Sequence, residues 1–383
     1  MSKINHNQLA KVLQVCYKAQ VAPFLWGAMG IGKSSVAGVV AKYFAKQEER
    51  KFMHWNETTT EQKTTIMANP AEYFVYADIR LSYTEGSDLK GLPDFFNGKD
   101  VVDWKPVMLF KTLSHKEAKG IIMFDEMNLA GSQVLSGAYQ IVNDKQIGEY
   151  PINKDVFIMA AGNRAEDRGN TYEMGAPLRN RFVHFELMVP SVSDWCEQYA
   201  IPRGLDARII GYLQFRPSHL FTFTDNKSAN AFATPRTWEK TSQMIRFLPG
   251  TSRETLDMVE LLSASAIGDG VATEFANFLR VQDKLDIKSF LKNPEKAEKL
   301  EDVSQKWALV TGIVELYRTS KKKDFEIDEA FQIVSYFDPE FGMLMLRMMK
   351  QAKGPQNFLS NALLSKAYKS FVEKHISVLK AAA

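Results

Sequence analysis

A glycine-rich loop that ends in lysine and serine carries the clearest chemical signal in this chain. Residues 27–34 read GAMGIGKS and match the pattern G-x-x-x-x-G-K-[ST] in full. In such loops the backbone curls so that N–H groups point at phosphates, the lysine reaches the β- and γ-phosphates, and the hydroxyl binds magnesium. The pattern predicts a nucleotide site, and a glycine-rich turn with a chance lysine is the alternative. The predicted binding residues are Gly27, Ala28, Met29, Gly30, Ile31, Gly32, Lys33, Ser34 and Ser35, with Ser34 also on Mg²⁺.

Two adjacent carboxylates, Asp125 and Glu126, end the hydrophobic run at residues 121–124. In enzymes with a phosphate loop, an acid on the magnesium side and an acid that activates water belong at the end of such a strand. We expect Asp125 to hold the metal through water and Glu126 to act as the general base. The alternative is a solvated acidic pair that caps a helix.

Further polar residues follow later apolar runs. Asn163, just past the run at 156–161, is predicted to contact the γ-phosphate and the attacking water; a turn asparagine is the alternative. Arginine stabilises charge on a transferring phosphoryl group, so Arg181, or in second place Arg179, is predicted to be a finger that arrives from a neighbouring subunit. Arg236 begins a predicted helix and is a candidate reader of the γ-phosphate from a mobile lid. Surface salt bridges and a plain capped helix are the alternatives for these arginines.

These residues need a sheet and helices to position them. Apolar runs bounded by glycine recur in the first half and are typical of buried parallel strands, with helical spacing between them. Strand alternating with helix predicts the α/β class, a doubly wound parallel sheet with helices on both faces. These strands are expected at residues 21–26, 73–79, 121–124 and 156–161, an alternating strand is expected at 183–187, and helices at 34–47 and 132–143.

The second half of the chain is predicted to be helical. Amphipathic patterns at residues 253–266, 273–285 and 308–317 replace the strand signals. The charged stretch at 292–306 contains a proline and indicates a connection between two helical bundles. We therefore predict an α/β nucleotide-binding domain at 1–190, an α-helical lid at 191–292 and a C-terminal helical extension at 293–383.

Composition narrows the class of protein. Of 383 residues, 45% are hydrophobic, which is enough for a sizeable core. The chain has 48 Lys and Arg against 45 Asp and Glu, so no bulk charge attracts it to nucleic acid or an anionic membrane. The two cysteines lie far apart and the histidines show no metal-ligand spacing. With a polar N-terminus and no long apolar segment, these features predict a cytoplasmic protein without a membrane span.

Taken in order, the motifs resemble the AAA+ superfamily, specifically its MoxR-like branch. They are the phosphate loop, DEMNLA at 125–130, GN at 162–163, PLRNRF at 177–182 and TPR at 234–236, and DLKGLP at 88–93 is similar to the segment before the acid strand. The resemblance spans roughly residues 10–280. It implies ATP with Mg²⁺, a hexameric ring, and a protein partner such as a von Willebrand factor A-type protein or a metalloenzyme. The roles it implies are phosphate and magnesium binding for Lys33 and Ser34, the acid pair for Asp125 and Glu126, first sensor for Asn163, finger for Arg181 and second sensor for Arg236.

The resemblance also implies a small hairpin after the second strand. Residues 95–102 read FFNGKDVV, and Asn97-Gly98 is a turn signal between apolar flanks. Phe95 and Phe96 are expected either to touch a substrate in the pore of a ring or to pack against a neighbouring domain.

Three functions compete on this sequence. The first is a ring ATPase that remodels or activates a protein partner. The second is a motor that translocates nucleic acid. This hypothesis depends on lysine runs at 321–323, at 296–299 and near the C-terminus, and such runs are usually solvated helix faces. The third is a regulatory switch that binds ATP without hydrolysing it, and an intact Glu126 and Asn163 speak against it.

Overall fold

The computed structural model describes residues 1–94, 103–164, 174–223, 230–250, 252–320, 325 and 327–381, with side chains described up to residue 375. The chain divides into two compact units, Met1–Val189 and Pro190–Ala383. The first contains the sheet and the second is helical.

Within the described residues of the first unit, seven strands form one parallel sheet in the order β1-β11-β2-β10-β7-β4-β3. Their bounds are β1 Ser2–Ile4, β2 Pro23–Trp26, β3 Lys51–His54, β4 Tyr73–Arg80, β7 Lys119–Asp125, β10 Val156–Gly162 and β11 Val183–Leu187. Two antiparallel pairs lie outside the sheet, β5 Leu92–Asp94 with β6 Asp103–Lys105, and β8 Gln146–Ile147 with β9 Tyr150–Pro151.

Seven helices accompany the sheet in the described part of this unit. They are α1 His6–Ala19, α2 Lys33–Gln47, α3 Thr60–Ala68, α4 Gly86–Lys90, α5 Met108–Leu113, α6 Ser132–Asp144 and α7 Ala176–Arg179. Short 3₁₀ turns at Leu81–Tyr83 and Met127–Leu129 follow β4 and β7. The predicted fold class, a P-loop α/β core with a parallel sheet followed by helices, is confirmed.

The strand order decides which residues can meet. Because all strands of the sheet are parallel, their carboxyl ends share one edge, which we call the carboxyl edge; the opposite one is the amino edge. β10 lies between β2 and β7. The residues that follow β2, β10, β7 and β4 therefore lie side by side along the carboxyl edge.

Two strands of the seven-stranded sheet were not predicted. Within the described residues β3 pairs with β4 alone and β1 with β11 alone, so each is an edge strand. β3 carries Lys51 and is at most half-buried, and two of the three residues of β1 are exposed. Short edge strands lack the continuous apolar run that identifies a buried strand, because only one side of their backbone is covered by a partner.

The second unit packs its helices around one hydrophobic cluster that runs from Val192 to Phe371. Its helices are α8 Val192–Trp195, α9 Ala207–Phe215, α10 Pro235–Ile245, α11 Arg253–Ile267, α12 Asp269–Asp283, α13 Ile287–Lys292, α14 Val303–Thr319, α15 Ile327–Ser335, α16 Pro339–Lys353, α17 Pro355–Ala362 and α18 Lys366–Ala381. A π-helical turn, Cys196–Ala200, follows α8. The further division at residues 292 and 293 stays a prediction. Among the described helices, none is long and apolar enough to cross a membrane.

Candidate functional site

The predicted phosphate loop joins β2 to α2. Gly32 caps the helix with φ 95°, a backbone conformation that favours glycine, and no side chain caps the first turn. The N–H groups of that first turn have no acceptor within the helix, so they are available to an anion. The loop therefore has the backbone geometry that a phosphate cradle requires.

Lys33 is buried, and three acceptors among the described residues contact its ammonium group. Nζ donates to the carbonyl oxygens of Gly27 at 2.7 Å and Ala28 at 3.0 Å, and to Asn163 Oδ1 at 3.0 Å. A phosphate would compete with these neutral acceptors for the same charge, and a charge-assisted bond to phosphate is the stronger one. The structure thus brings together the predicted phosphate lysine and the predicted sensor.

Ser34 and Asp125 form the predicted magnesium pair. Ser34 Oγ donates to Asp125 Oδ2 at 2.6 Å, and the backbone N–H of Glu126 donates to Asp125 Oδ1 at 2.9 Å. A hydroxyl and a carboxylate are the hard oxygen donors that Mg²⁺ takes, usually with several waters retained. The donor set fits the metal that the resemblance implies.

Glu126 is held in an unusual conformation at the end of the acid strand. Its φ of 54° lies in the left-handed region, where a residue with a Cβ is strained. Its Oε2 accepts a hydrogen bond from Ser82 Oγ, which lies in the 3₁₀ turn after β4. Both its backbone and its side chain are therefore fixed, as a group that orients water must be.

The side chain of Asn128 holds the backbone of Asn163 through two hydrogen bonds. Asn128 Nδ2 donates to the carbonyl oxygen of Asn163 at 2.8 Å, and the N–H of Asn163 donates to Asn128 Oδ1 at 3.2 Å. Gly162 permits this contact, because a Cβ there would lie 2.5 Å from Asn128 Oδ1. The acid segment thereby sets the position of the sensor candidate.

A third carboxylate lies beside the acid pair. Asp78 is on β4, where its Cα pairs with Met123 of the acid strand, and its Oδ1 is buried without a hydrogen-bond partner in the described part of the chain. Burial, reinforced by the negative charges of Asp125 and Glu126, raises the pKa of Asp78 to about 6. The site thus contains one more carboxyl group than the sequence indicated.

Arg179 and Arg181 lie at the amino edge of the sheet. Arg179 ends α7, Arg181 precedes β11, and Val183 at the start of β11 pairs with Pro23 at the start of β2. The four residues of β2, roughly 13 Å of strand, separate this edge from the phosphate loop. Both arginines are exposed, and neither guanidinium has a hydrogen bond or ion pair with a residue that the structure describes. They are placed away from this chain's own loop.

Arg236 lies in the second unit, exposed in the first turn of α10. The predicted helix start is correct: Thr234 accepts from the N–H of Thr237, and Pro235 occupies the first turn. The role of Arg236 at a γ-phosphate stays a prediction.

The predicted hairpin falls on residues 95–102, so Phe95, Phe96 and the turn lie outside the described residues. The strands that flank it are antiparallel, with Asp94 opposite Asp103. The lysines at 321–323 also lie outside the described part of the chain. Among the residues that the structure describes, no group of three or more His, Cys, Asp or Glu side chains could hold a metal.

Sequence reasoning missed Ser82, Asn128 and Asp78. A signal existed for Ser82, because it follows an apolar run as Asn163 does, and the strand-end argument applies equally to it. Asp78 interrupts an otherwise apolar strand, and a carboxylate in such a place is a candidate for function. Asn128 lies within the DEMNLA motif, but its spacing assigned it no role.

Several solved structures are similar to this chain at low identity. A mutant of Thermotoga maritima RuvB shares 16% identity over 75% of both chains, with a TM-score of 0.34. The structure described as the Thermotoga maritima RuvB Holliday junction branch migration motor shares 15% over 75% of this chain and 74% of that one, with a TM-score of 0.30. NtrX from Brucella abortus in complex with ADP shares 14% over 97% of this chain and 67% of that one, with a TM-score of 0.31. No protein-family model matches the chain, and no curated protein sequence matches it significantly.

Proposed function

We propose that this chain is an AAA+ ATPase of the MoxR-like kind, which hydrolyses ATP in a ring oligomer to remodel or activate a protein partner in the cytoplasm. One observation carries the proposal. The five predicted residues Lys33, Ser34, Asp125, Glu126 and Asn163 meet at the carboxyl edge of one sheet, joined by direct contacts. Residues separated by more than a hundred positions converge where the chemistry needs them.

Each side chain has a separate task in hydrolysis. The N–H groups of the loop and Lys33 bind the β- and γ-phosphates and stabilise the negative charge that develops as the bond between them breaks. Ser34 and Asp125 would hold Mg²⁺, which supplies neutralisation of the developing phosphate charge. Glu126 accepts a proton from the attacking water, and Asn163 orients that water against the γ-phosphate.

The arginines support a ring. Catalysis of phosphoryl transfer profits from a further cation, and the two candidates lie at the amino edge, away from this chain's own loop. A finger at that edge is suited to a neighbour's site, and head-to-tail contacts of this kind form a ring when the rotation between subunits closes. We propose six subunits and a von Willebrand factor A-type protein as partner from the resemblance to MoxR-like proteins.

A phosphate-release assay with ATP and Mg²⁺ tests the proposal. The wild type should hydrolyse ATP, and Glu126→Gln should bind ATP with unchanged affinity while hydrolysis falls roughly a hundredfold or more. A wild type that binds ATP without releasing phosphate would instead indicate a regulatory switch. Acceleration by DNA, lost steeply with salt, would favour the nucleic-acid motor.

A further inference from the structure

His184 on β11 bridges the phosphate-loop strand and the arginine segment. Trp26 Nε1–H donates to His184 Nδ1 at 3.0 Å, and His184 Nε2 lies 2.8 Å from the carbonyl oxygen of Arg179. An indole nitrogen can only donate and a carbonyl oxygen can only accept. The imidazole therefore accepts from Trp26 through Nδ1 and donates to Arg179 from Nε2.

Aromatic packing keeps the imidazole in this position. Trp26 stacks on Phe24 with ring centroids 4.3 Å apart, and Phe182 meets Phe24 edge-on at 5.4 Å. The imidazole lies 5.7 Å from Phe24 and 6.4 Å from Phe182. A movement of any of these rings displaces the others, because close-packed side chains transmit a shift.

The two hydrogen bonds connect opposite edges of the sheet. Trp26 is the last residue of β2, directly before Gly27, whose carbonyl oxygen accepts from Lys33 Nζ at 2.7 Å. At the other end, the carbonyl oxygen of Arg179 also accepts from the N–H of Phe182 at 3.2 Å and so closes the turn that contains Arg181. A change at the loop thus has a direct route to the turn that contains both arginine candidates.

We propose that His184 is a positioning residue that links the nucleotide state of a subunit's own phosphate loop to the position of the arginine that it offers to its neighbour. The inference depends on the proposed function, because it requires an arginine shared between subunits. When a phosphate takes over the Lys33 ammonium from the Gly27 carbonyl, the strand end at Trp26 adjusts and His184 carries the adjustment to Arg179. The position of the arginine in each neighbouring site then depends on the nucleotide bound to the subunit that offers it.

Mixed rings test this linkage, with a reference mixture of Glu126→Gln and Arg181→Ala subunits. The first binds ATP and offers its arginine but does not hydrolyse, and the second keeps a whole site but offers no arginine. In an equal random mixture about a quarter of interfaces join an intact site to an intact arginine, so hydrolysis should reappear. Arg179→Ala takes the place of Arg181→Ala if Arg179 proves to be the finger.

His184→Phe is then added to one partner at a time, because phenylalanine keeps a ring and removes both hydrogen bonds. On the subunit that offers the arginine, it should lower kcat of the mixture about tenfold with KM for ATP unchanged, since a misplaced catalytic group costs rate. On the subunit that supplies the site, the loss should be much smaller. Trp26→Phe on the arginine-offering subunit should repeat the loss, and His184→Gln should recover part of it by donating to Arg179.

Val183→Ala, the exposed neighbour on the same strand, is the matched control and should leave the mixture active. Equal losses on both partners, or no loss on either, would overturn the linkage while the shared site stands. If the reference mixture stays inactive although labelled subunits exchange, the shared site fails and the linkage fails with it. ATP affinity measured for each variant identifies misfolding, and the Trp26→Phe and His184→Gln mixtures decide the matter if His184→Phe does not fold.

Discussion

Lys33 Nζ lies 3.0 Å from Asn163 Oδ1, so the predicted phosphate loop is joined to the residue that follows β10 through the ammonium group that is predicted to bind phosphate. The hydrogen bond joins a donor and an acceptor that are 130 positions apart in the chain. From this contact we expect the two side chains to face the same ligand.

Lys33→Ala should abolish tight nucleotide binding. A buried triphosphate would lose its main cationic partner, and truncation of such a charge weakens binding by about a hundredfold or more. Titration calorimetry with ATP measures the effect. Lys46→Ala removes an exposed lysine from the last turn of the same helix and should bind ATP as the wild type does. A Lys33→Ala protein that still binds tightly would contradict the phosphate-loop assignment.

The 2.6 Å contact between Ser34 and Asp125 predicts a shared metal. Asp125→Asn and Ser34→Ala each remove one oxygen donor suited to Mg²⁺. The Mg²⁺ concentration for half-maximal hydrolysis should therefore rise about tenfold or more in each variant. Binding of ATP in EDTA should change little, because the loop and Lys33 are intact. Unchanged Mg²⁺ dependence in both variants would remove these residues from the metal site.

Ser82→Ala tests whether the serine holds the general base in place. With the hydrogen bond to Glu126 Oε2 gone, hydrolysis should fall about tenfold while ATP affinity is kept, because the carboxylate remains but is no longer oriented. Ser87→Ala, an exposed serine in α4, is the control. Wild-type hydrolysis by Ser82→Ala would show that Glu126 is held by its backbone alone.

Asp78 should make stability depend on pH. Its pKa is about 6 in the folded protein and 3.8 as the ordinary value, so the folded state favours the protonated acid. The stability that this group contributes is present below about pH 4 and is lost as the pH rises through 6. The loss in the free energy of unfolding is up to about 3 kcal/mol. Asp78→Asn should therefore be more stable than the wild type above pH 6, with the gain shrinking towards pH 4.

Urea unfolding without Mg²⁺ or nucleotide, repeated from pH 4 to 8, measures this difference. Asp144→Asn, which alters an exposed aspartate at the end of α6, should show no such pH-dependent gain. A constant offset between Asp78→Asn and the wild type at every pH would contradict the assignment.

Two mixtures separate the finger candidates. Lys33→Ala destroys a subunit's own site but leaves its arginines, so mixing it with Arg181→Ala should restore about a quarter of the functional interfaces. The same mixture with Arg179→Ala should not gain activity over its components, because that variant should already hydrolyse ATP alone. If Arg179→Ala is inactive alone and is rescued while Arg181→Ala is not, Arg179 is the finger.

Local patterns determined most of the fold and the core of the candidate site. The bounds of β2, β4 and β10 were predicted within two residues, because buried parallel strands are continuous apolar runs that end where the polar chemistry begins. Those of β11 were predicted to the residue from its alternating pattern. The loop at 27–34 combines strand, glycines, lysine and helix within one short segment, so spacing alone specified Lys33 and Ser34. Asp125 and Glu126 were equally accessible, since a strand end fixes their place.

Tertiary structure decided everything that depends on strand order. No local pattern states that β10 lies between β2 and β7, and that insertion is what brings Asn163 to Lys33 and Asn128 to Asn163. Ser82 reaches Glu126, and Trp26 reaches His184, only because β4 pairs with β7 and β11 with β2. Hydrogen bonds between strands join residues far apart in the chain, so their partners follow from the packing of the whole sheet and not from the residues next to them.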